Sequence, residues 1–452
     1  PATGTPGAGD CLYFNPFGTA LTGSGTQNPP ELLNDMLGFM SFDARAELLT
    51  IEGFVSRQLG ELPGGTAAIA IGAQHRGEEI EYDYDENANR DNFLFLIGNP
   101  DFRNDRNVNA VFAELALPLT ETVNLQLAGR FEDYGDVDST DPKATLLWRP
   151  TDALSVRASV GTSFRAPSLF QSFGTQTTLT ELIDPAVGTP QFFPVRSQPN
   201  PSGDPLQPEE SDVLDLGVSW FATDNLQLSL DYWSFDYSSV IIEQSAQAIL
   251  NAAAGGDAAA AAQVVRDPQS GLLLRVDSYY ANASSLETDG VDFSVAYDVP
   301  VAGASRYRVG LQSTLVASYD IVDPQAGSVD GAGRRNFANF ATSVPELRAN
   351  AFFNWERNSH AVNLFVRYID SYVDDEVDLG QGSGAFSEID SQVTADVQYR
   401  YSFENEFGPV LTFGVINLTD EDPPHVATNG GYDSKVHDPR GRIWYAQAGL
   451  RF

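Results

Sequence analysis

The sequence predicts an all-β fold, and within that class a transmembrane antiparallel β-barrel. Three observations predict it: side-chain alternation of period two in segment after segment, connections that sort into short and long, and aromatics gathered at strand ends; no run of about 18 apolar residues could cross a bilayer as a helix. The 452 residues exceed the usual size of one globular core. A barrel escapes that limit because each strand packs only against its two neighbours.

The alternation is clearest in Leu154–Phe164, where Leu154, Val156, Ala158, Val160 and Phe164 share one face and Ser155, Arg157, Ser159 and Ser163 the other. Elsewhere Val123, Leu125, Leu127 and Phe131 oppose Asn124, Gln126 and Arg130. Leu226, Leu228, Leu230 and Tyr232 oppose Gln227, Ser229 and Asp231. Val362, Leu364, Val366 and Tyr368 oppose Asn363 and Arg367. Ala395, Val397, Tyr399, Tyr401 and Phe403 oppose Asp396, Gln398 and Arg400. A soluble sandwich also alternates, but here Arg, Gln and Asp recur at mid-strand, as a wet lumen permits. Aromatics gather at strand ends (Tyr368, Tyr372, Tyr399, Tyr401, Phe403, Trp444, Tyr445), as interfacial girdles do.

About 15 strands are expected, near 44–59, 66–79, 108–117, 122–134, 140–148, 153–165, 209–221, 225–238, 272–299, 305–320, 345–356, 359–372, 387–403, 409–418 and 441–452. Short turns follow every second strand, whereas 80–107, 166–208, 239–271, 321–344, 373–386 and 419–440 are long, with 135–139 the short exception. Periplasmic turns and extracellular loops sort in this way. If the last strand descends to the periplasm, the long loops face outward and residues 1–43 form an extracellular loop segment ahead of a barrel portion, 44–452. An odd count that starts outside implies further strands upstream, so a C-terminal portion of a barrel is expected. Residues 241–266 read as one short helical loop segment, broken at Gly255-Gly256.

Charge is lopsided, with 62 Asp and Glu against 26 Lys and Arg and a net charge of −36, which argues against a nucleic-acid partner. The acidic blocks at 82–87 and 374–378 read as solvated loop, with no EF-hand spacing for calcium. His425 and His437 lie 12 apart, against roughly three to five in common zinc sites. No Gly-x-Ser-x-Gly elbow or phosphate-binding glycine loop occurs, and no charged-then-apolar leader opens the chain. No catalytic residue, metal or cofactor is therefore expected, and the chain is not read as an enzyme. Cys11 is the one cysteine, so any disulfide partner lies in another chain.

Five stretches resemble one family, the TonB-dependent outer-membrane receptors. Gly161-Thr-Ser-Phe-Arg-Ala-Pro-Ser-Leu-Phe170 resembles a recurrent strand exit and loop start. Pro201 with Leu206-Gln-Pro-Glu-Glu-Ser211 resembles the entry to the next descending strand, and Asn417-Leu-Thr-Asp-Glu-Asp422 the penultimate loop start. Asp438-Pro-Arg-Gly-Arg-Ile-Trp-Tyr445 through Gly449-Leu-Arg-Phe452 resembles the C-terminal strand, and Cys11-Leu-Tyr-Phe-Asn-Pro-Phe-Gly18 a cysteine-bearing outer loop. Five in register outweigh any one.

The resemblance implies a barrel of about 22 strands with a plug in its lumen. It further implies that the plug and roughly the first seven strands are absent from this chain. The implied function is active, TonB-coupled uptake of a scarce ligand: siderophore, cobalamin, oligosaccharide or peptide. The implied partners are the N-terminal plug and barrel portion (cut from the same product or a separate chain), a TonB-type energy-coupling protein, the barrel-assembly machinery and outer-membrane lipid. A passive porin, a structural or adhesive barrel and, least favoured, an outer-membrane hydrolase are the rival readings. Candidate ligand-facing residues are Arg334, Arg335, Phe192, Phe193, Tyr279 and Tyr280. Arg130, Arg157, Arg367 and Arg400 are candidates to face the lumen, paired with plug or wall carboxylates. Trp444, Leu450 and Phe452 would form the assembly signal, and Cys11 an inter-chain disulfide.

Overall fold

The computed structural model describes residues 14–15, 17, 27–90, 98–201, 203, 205–323, 327–336, 339–375, 387–404, 408–426 and 430–450. After a short helix α1 (Pro30–Met36) come β1 (Phe42–Leu62), β2 (Gly65–Tyr84), α2 (Glu86–Asn89), β3 (Phe102–Thr120), β4 (Val123–Asp133), β5 (Asp138–Thr151) and β6 (Leu154–Arg165). An outer excursion carries α3 (Leu169–Phe173), β7 (Gln176–Ile183) and β8 (Pro190–Gln198) before β9 (Glu209–Thr223) and β10 (Leu226–Glu243). A second carries α4 (Ala246–Ala254), α5 (Ala258–Ala262) and β11 (Val264–Arg266) into β12 (Leu273–Val299) and β13 (Ser305–Asp323). Then follow β14 (Gly327–Asp330), β15 (Leu347–Arg357), β16 (His360–Ile369), β17 (Tyr372–Asp374), β18 (Ser387–Ile389), β19 (Gln392–Ser402), β20 (Val410–Ile416) and β21 (Ile443–Gly449).

Fifteen of these strands form one antiparallel wall, β1 to β6, β9, β10, β12, β13, β15, β16 and β19 to β21, each paired with the next. The register keeps one face consistent across the wall. Leu115, Leu127, Ala144, Val160, Leu214 and their neighbours stay on the outward side from strand to strand. Large apolar side chains on that face are solvent-exposed, including Leu216, Val218, Leu230 and Phe413, which a soluble protein of this size would bury. Trp148, Trp220, Tyr297, Tyr307, Trp355, Tyr399 and Tyr401 line the turn-side margin of the outward face, as a girdle does. Of the expected girdle residues, Tyr445 instead shares the inward face with Gly414, and Tyr372 lies buried among the loops.

The connections sort by side. Residues 63–64, 121–122, 152–153, 224–225, 300–304, 358–359 and 403–409 link strands on one side. The long connections lie on the other, with 134–137 the one tight turn there. The first strands run farther into their loops than alternation alone indicates. β1 and β2 pair from Leu62–Gly65 up to Phe42–Tyr84, because Phe42, Tyr82, Tyr84 and Phe102 stack across the ladder and hold its upper end. β1 is exposed along both faces, and its outer edge has no partner among the described residues.

The helical segment expected at 241–266 is broken in two at Gly255-Gly256 as expected, but is shorter. Ile241 and Ile242 belong to β10 and Val264–Arg266 to β11, because β-branched residues find ladder partners in β12. Between them Ser245 and Asp257 cap α4 and α5 by accepting from the amides of Ala248 and Ala260, and Gly256 (φ +94°) makes the break. Three further short helices, α1 to α3, stand where no helix is expected.

Candidate functional site

The inward face of the wall carries charge, and several of its arginines are paired within the wall. Arg157 bonds Asp231 on β10, Arg367 bonds Asp396 on β19 at 2.5 Å, and Arg400 reaches Glu356 on β15 at 3.5 Å. Arg130 bonds Glu132 and the Gln74 side chain (3.0 Å). Around it Arg76 and Arg106 share Glu78, and Arg106 lies over the Tyr134 ring. The four arginines singled out in the sequence thus each have a wall carboxylate within ion-pair distance, which offsets the cost of crowding charge into a lumen.

Above the wall stand two loop assemblies. The first joins β7, β8, α4, α5, β11 and the outer end of β12 around a core of Leu182, Phe193, Val195, Ile249, Leu250 and Val276. β8 runs parallel to β12 through Val195–Val276, which ties two loops distant in sequence into one small sheet. Arg266 donates two hydrogen bonds of 2.7 Å to the buried Asp184 carboxylate, and these hold that carboxyl below its ordinary range against the opposing effect of burial. Glu243 accepts from the hydroxyls of Ser197 and Ser278 where β10 enters the assembly. Phe193 lies in this core, so it packs the loop, whereas Phe192 on the opposite face is 67 % exposed. Tyr279 and Tyr280 are half-buried at the base, in β12.

The second assembly joins the last three outer loops. Arg334 bridges by its backbone to Val344 and Val373, and the Arg335 guanidinium donates to Asp374 at 3.0 Å. Asn336, in the left-handed region (φ +55°) and 2 % exposed, donates its amide to the carbonyls of Gly331 and Thr342, each at 3.0 Å. From the final loop comes Asp433, buried, accepting from the Tyr372 hydroxyl (2.9 Å) and the Lys435 amide (3.0 Å). Burial pushes the Asp433 carboxyl up, but these hydrogen bonds and one from Ser343 outweigh it and leave it below its ordinary range.

His437 stacks on Tyr372, with Nε2 3.2 Å from the Tyr372 hydroxyl and Nδ1 2.9 Å from Gln392 Oε1. Gln392 donates its Nε2 to the Asp422 carbonyl, which orients Oε1 toward the ring and assigns a proton to Nδ1. Burial pushes His437 below its usual value, while Asp433 pulls it back.

Between these loops lies a half-open chamber of about 450 Å³. Arg335, Asn336, Ser343 and Asp433 form its fixed part, and Asn339, Tyr432, Ser434 and Lys435 its more exposed part. Arg335 is the one ligand-facing candidate from the sequence that lines it. The remaining lining residues were not singled out, because residues about 100 apart in sequence meet there and no local pattern marks them. Among the described residues no group of three or more His, Cys, Asp or Glu is arranged to hold a metal ion.

Trp444 (71 % exposed) and Leu450 (60 %) lie at the final strand on its outward-facing parity. Phe452 and Cys11 lie outside the described residues, as does most of the 374–378 acidic block.

Comparison with known proteins agrees with this geometry. A family model described as TonB dependent receptor-like, beta-barrel, matches residues 13–418. Among solved structures, the siderophore receptor PirA from Acinetobacter baumannii is 17 % identical with a TM-score of 0.64, over 90 % of this chain and 55 % of its own. A mutant ferric enterobactin receptor, PfeA, from Pseudomonas aeruginosa in complex with enterobactin is 17 % identical with a TM-score of 0.65, over 90 % and 54 %. PirA from Pseudomonas aeruginosa is 16 % identical with a TM-score of 0.56, over 90 % and 57 %. The chain thus spans about half the length of the solved structures it resembles. No curated protein matches it.

Proposed function

Because this chain belongs to the TonB-dependent receptor β-barrel family, we propose that it forms the greater part of the wall and outer loops of a Gram-negative outer-membrane receptor that actively imports a scarce ligand. One observation carries the reading: above a membrane-type wall, the outer loops are built into ordered assemblies with their own cores and buried ion pairs. Loops that serve only as connections have no need of that investment in order, whereas a receptor needs a preformed outer surface. The same outer assemblies would meet ligand first, and the paired arginines of the inward face would line the space taken by a plug. The energy-coupling protein would act through that plug, not through this chain. Trp444, Leu450 and Phe452 would carry the assembly signal, and Cys11 would be free to link to another chain in an oxidising compartment.

The test is uptake by cells lacking the gene, complemented with the full receptor, with and without the inner-membrane energy-coupling protein. Accumulation of the bound ligand should need both. Accumulation that persists without energy coupling, with an open ion conductance in planar bilayers, would replace the reading with a passive porin.

A further inference from the structure

The chamber between the 324–346 and 417–442 loops narrows the class of ligand, given the receptor reading above. We propose that it is a subsite for a neutral polyhydroxylated ligand, a saccharide unit of a larger glycan. Its volume of about 450 Å³ falls in the range of small-molecule sites, about 300–1,000 Å³, and suits part of an oligosaccharide. The formal charges at its walls sum to zero: Arg335 is held by Asp374 at 3.0 Å, and the exposed Lys435 on the rim is matched in number by the buried Asp433 carboxylate on the lining. An anionic ligand would meet that fixed carboxylate and the field of a chain with net charge −36. Among the described residues a metal ion would find a single lining carboxylate.

What the chamber offers is planar hydrogen-bonding groups in fixed positions. The Asn336 amide is pinned by two carbonyls, and Asn339 donates to its oxygen at 3.2 Å. Ser343 Oγ lies 3.1 Å from the Arg335 carbonyl and within reach of the Asp433 carboxylate, and the two share its one proton. Amide, carboxylate and guanidinium groups held in this way match vicinal hydroxyls, which both donate and accept. Tyr432 adds an aromatic ring to the lining, and a sugar's C–H face packs on such a ring. A neutral ligand rich in hydroxyls can use the lone pairs and N–H groups these contacts leave over, and it strands no charge on burial.

The experiment presents the full receptor in detergent to an array of neutral, amino and acidic oligosaccharides. Tyr432→Ala and Asn339→Leu run alongside, each checked for heat-modifiable migration to show a folded barrel. Neutral glycans should be retained, retention should fall roughly tenfold in each folded variant, and raised salt should leave it unchanged. Retention confined to acidic glycans and lost in salt, equal retention by both variants, or no retained glycan overturns the proposal. Import of the retained glycan is then measured with and without energy coupling. Retention without import sinks the transporter reading but leaves the subsite, whereas coupled import of a non-glycan ligand with no glycan retained sinks the subsite alone.

Discussion

Asp184 shows how one charged pair can decide whether an outer loop is ordered. Its carboxylate is almost fully buried, and the Arg266 guanidinium supplies two hydrogen bonds across 82 positions of sequence. Removing the cation leaves a buried anion, a larger loss than the pair's net contribution. Arg266→Ala should therefore cost the first loop assembly on the order of 2–3 kcal/mol, since Arg266 is partly exposed. Faster amide exchange confined to β7, β8, α4 and α5 would show it, and unchanged exchange would refute it.

The sign of the pH dependence follows from the same contact. The folded pKa of Asp184 is lowered, so its contribution is full above the unfolded value of about 3.9 and is lost as pH falls through the folded value. Exchange from this assembly should rise below about pH 4, and Asp184→Asn should start out loosened and lose most of that acid step. At the second assembly, His437 faces Asp433, Tyr372 and Gln392, with Arg348 also near enough to act on its charge. His437→Ala would leave the Gln392 carbonyl oxygen without its ring partner, at about 1–3 kcal/mol. Protease sensitivity of the final loop, compared between wild type and variant, measures that.

At the scale of elements, the last three strands are fastened on their inward side by a residue with no side chain. Gly414 on β20 lies directly opposite Tyr445 on β21, and the tyrosine ring lies over the space a Cβ would take. Its hydroxyl continues across β20 to accept from the Gln398 amide on β19 at 2.8 Å. Gly310 on β13 stands in the same relation to Phe352 on β15. An aromatic laid over a cross-strand glycine stabilises a ladder that the glycine alone would weaken. Gly414→Ala should displace Tyr445, break its bond to Gln398 and cost about 1–3 kcal/mol. The expected readout is a lower heat-modification temperature, with Gln398→Ala causing part of the same fall; no change in the glycine variant would sink the idea.

Alternation made the wall legible in the sequence, because a wall residue has only two sides to choose between. Arg157 and Asp231 could be placed on the inward face from their own strands alone. The outer assemblies were not legible in this way. The Val195–Val276 pairing, the Asp184–Arg266 bond and the Tyr372–Asp433–His437 cluster each join residues from separate loops, and such partners are chosen by three-dimensional closure. Phe193 and Phe192 illustrate the limit. They are neighbours of one type, and only the fold sends one into a core and the other into solvent.

For the molecule as a whole, the two edges of the wall govern behaviour. β1 and β21 each pair on one side only among the described residues, and β1 exposes Leu49, Ile51, Phe54 and Val55. β1 alone runs to 21 residues, so a row of backbone N–H and C=O groups stands open on its free edge. In hydrocarbon each such group costs several kcal/mol, which is why spanning sheets close. We propose that strands beyond these fifteen, paired to both edges, close this wall. Residues 1–452 produced alone should accumulate without a heat-modifiable, protease-resistant form, and the receptor with its remaining strands should show one. Intact mass spectrometry of the folded form identifies what completes it. A companion polypeptide, or a longer single chain, accompanying this sequence in the resistant species agrees with edge closure. If the 452 residues alone made up a stable folded barrel, β1 and β21 would have to pair with each other. A closed barrel of fifteen strands would be narrower than the barrels of about 22 strands that hold a plug, and the active-import reading would fall with it.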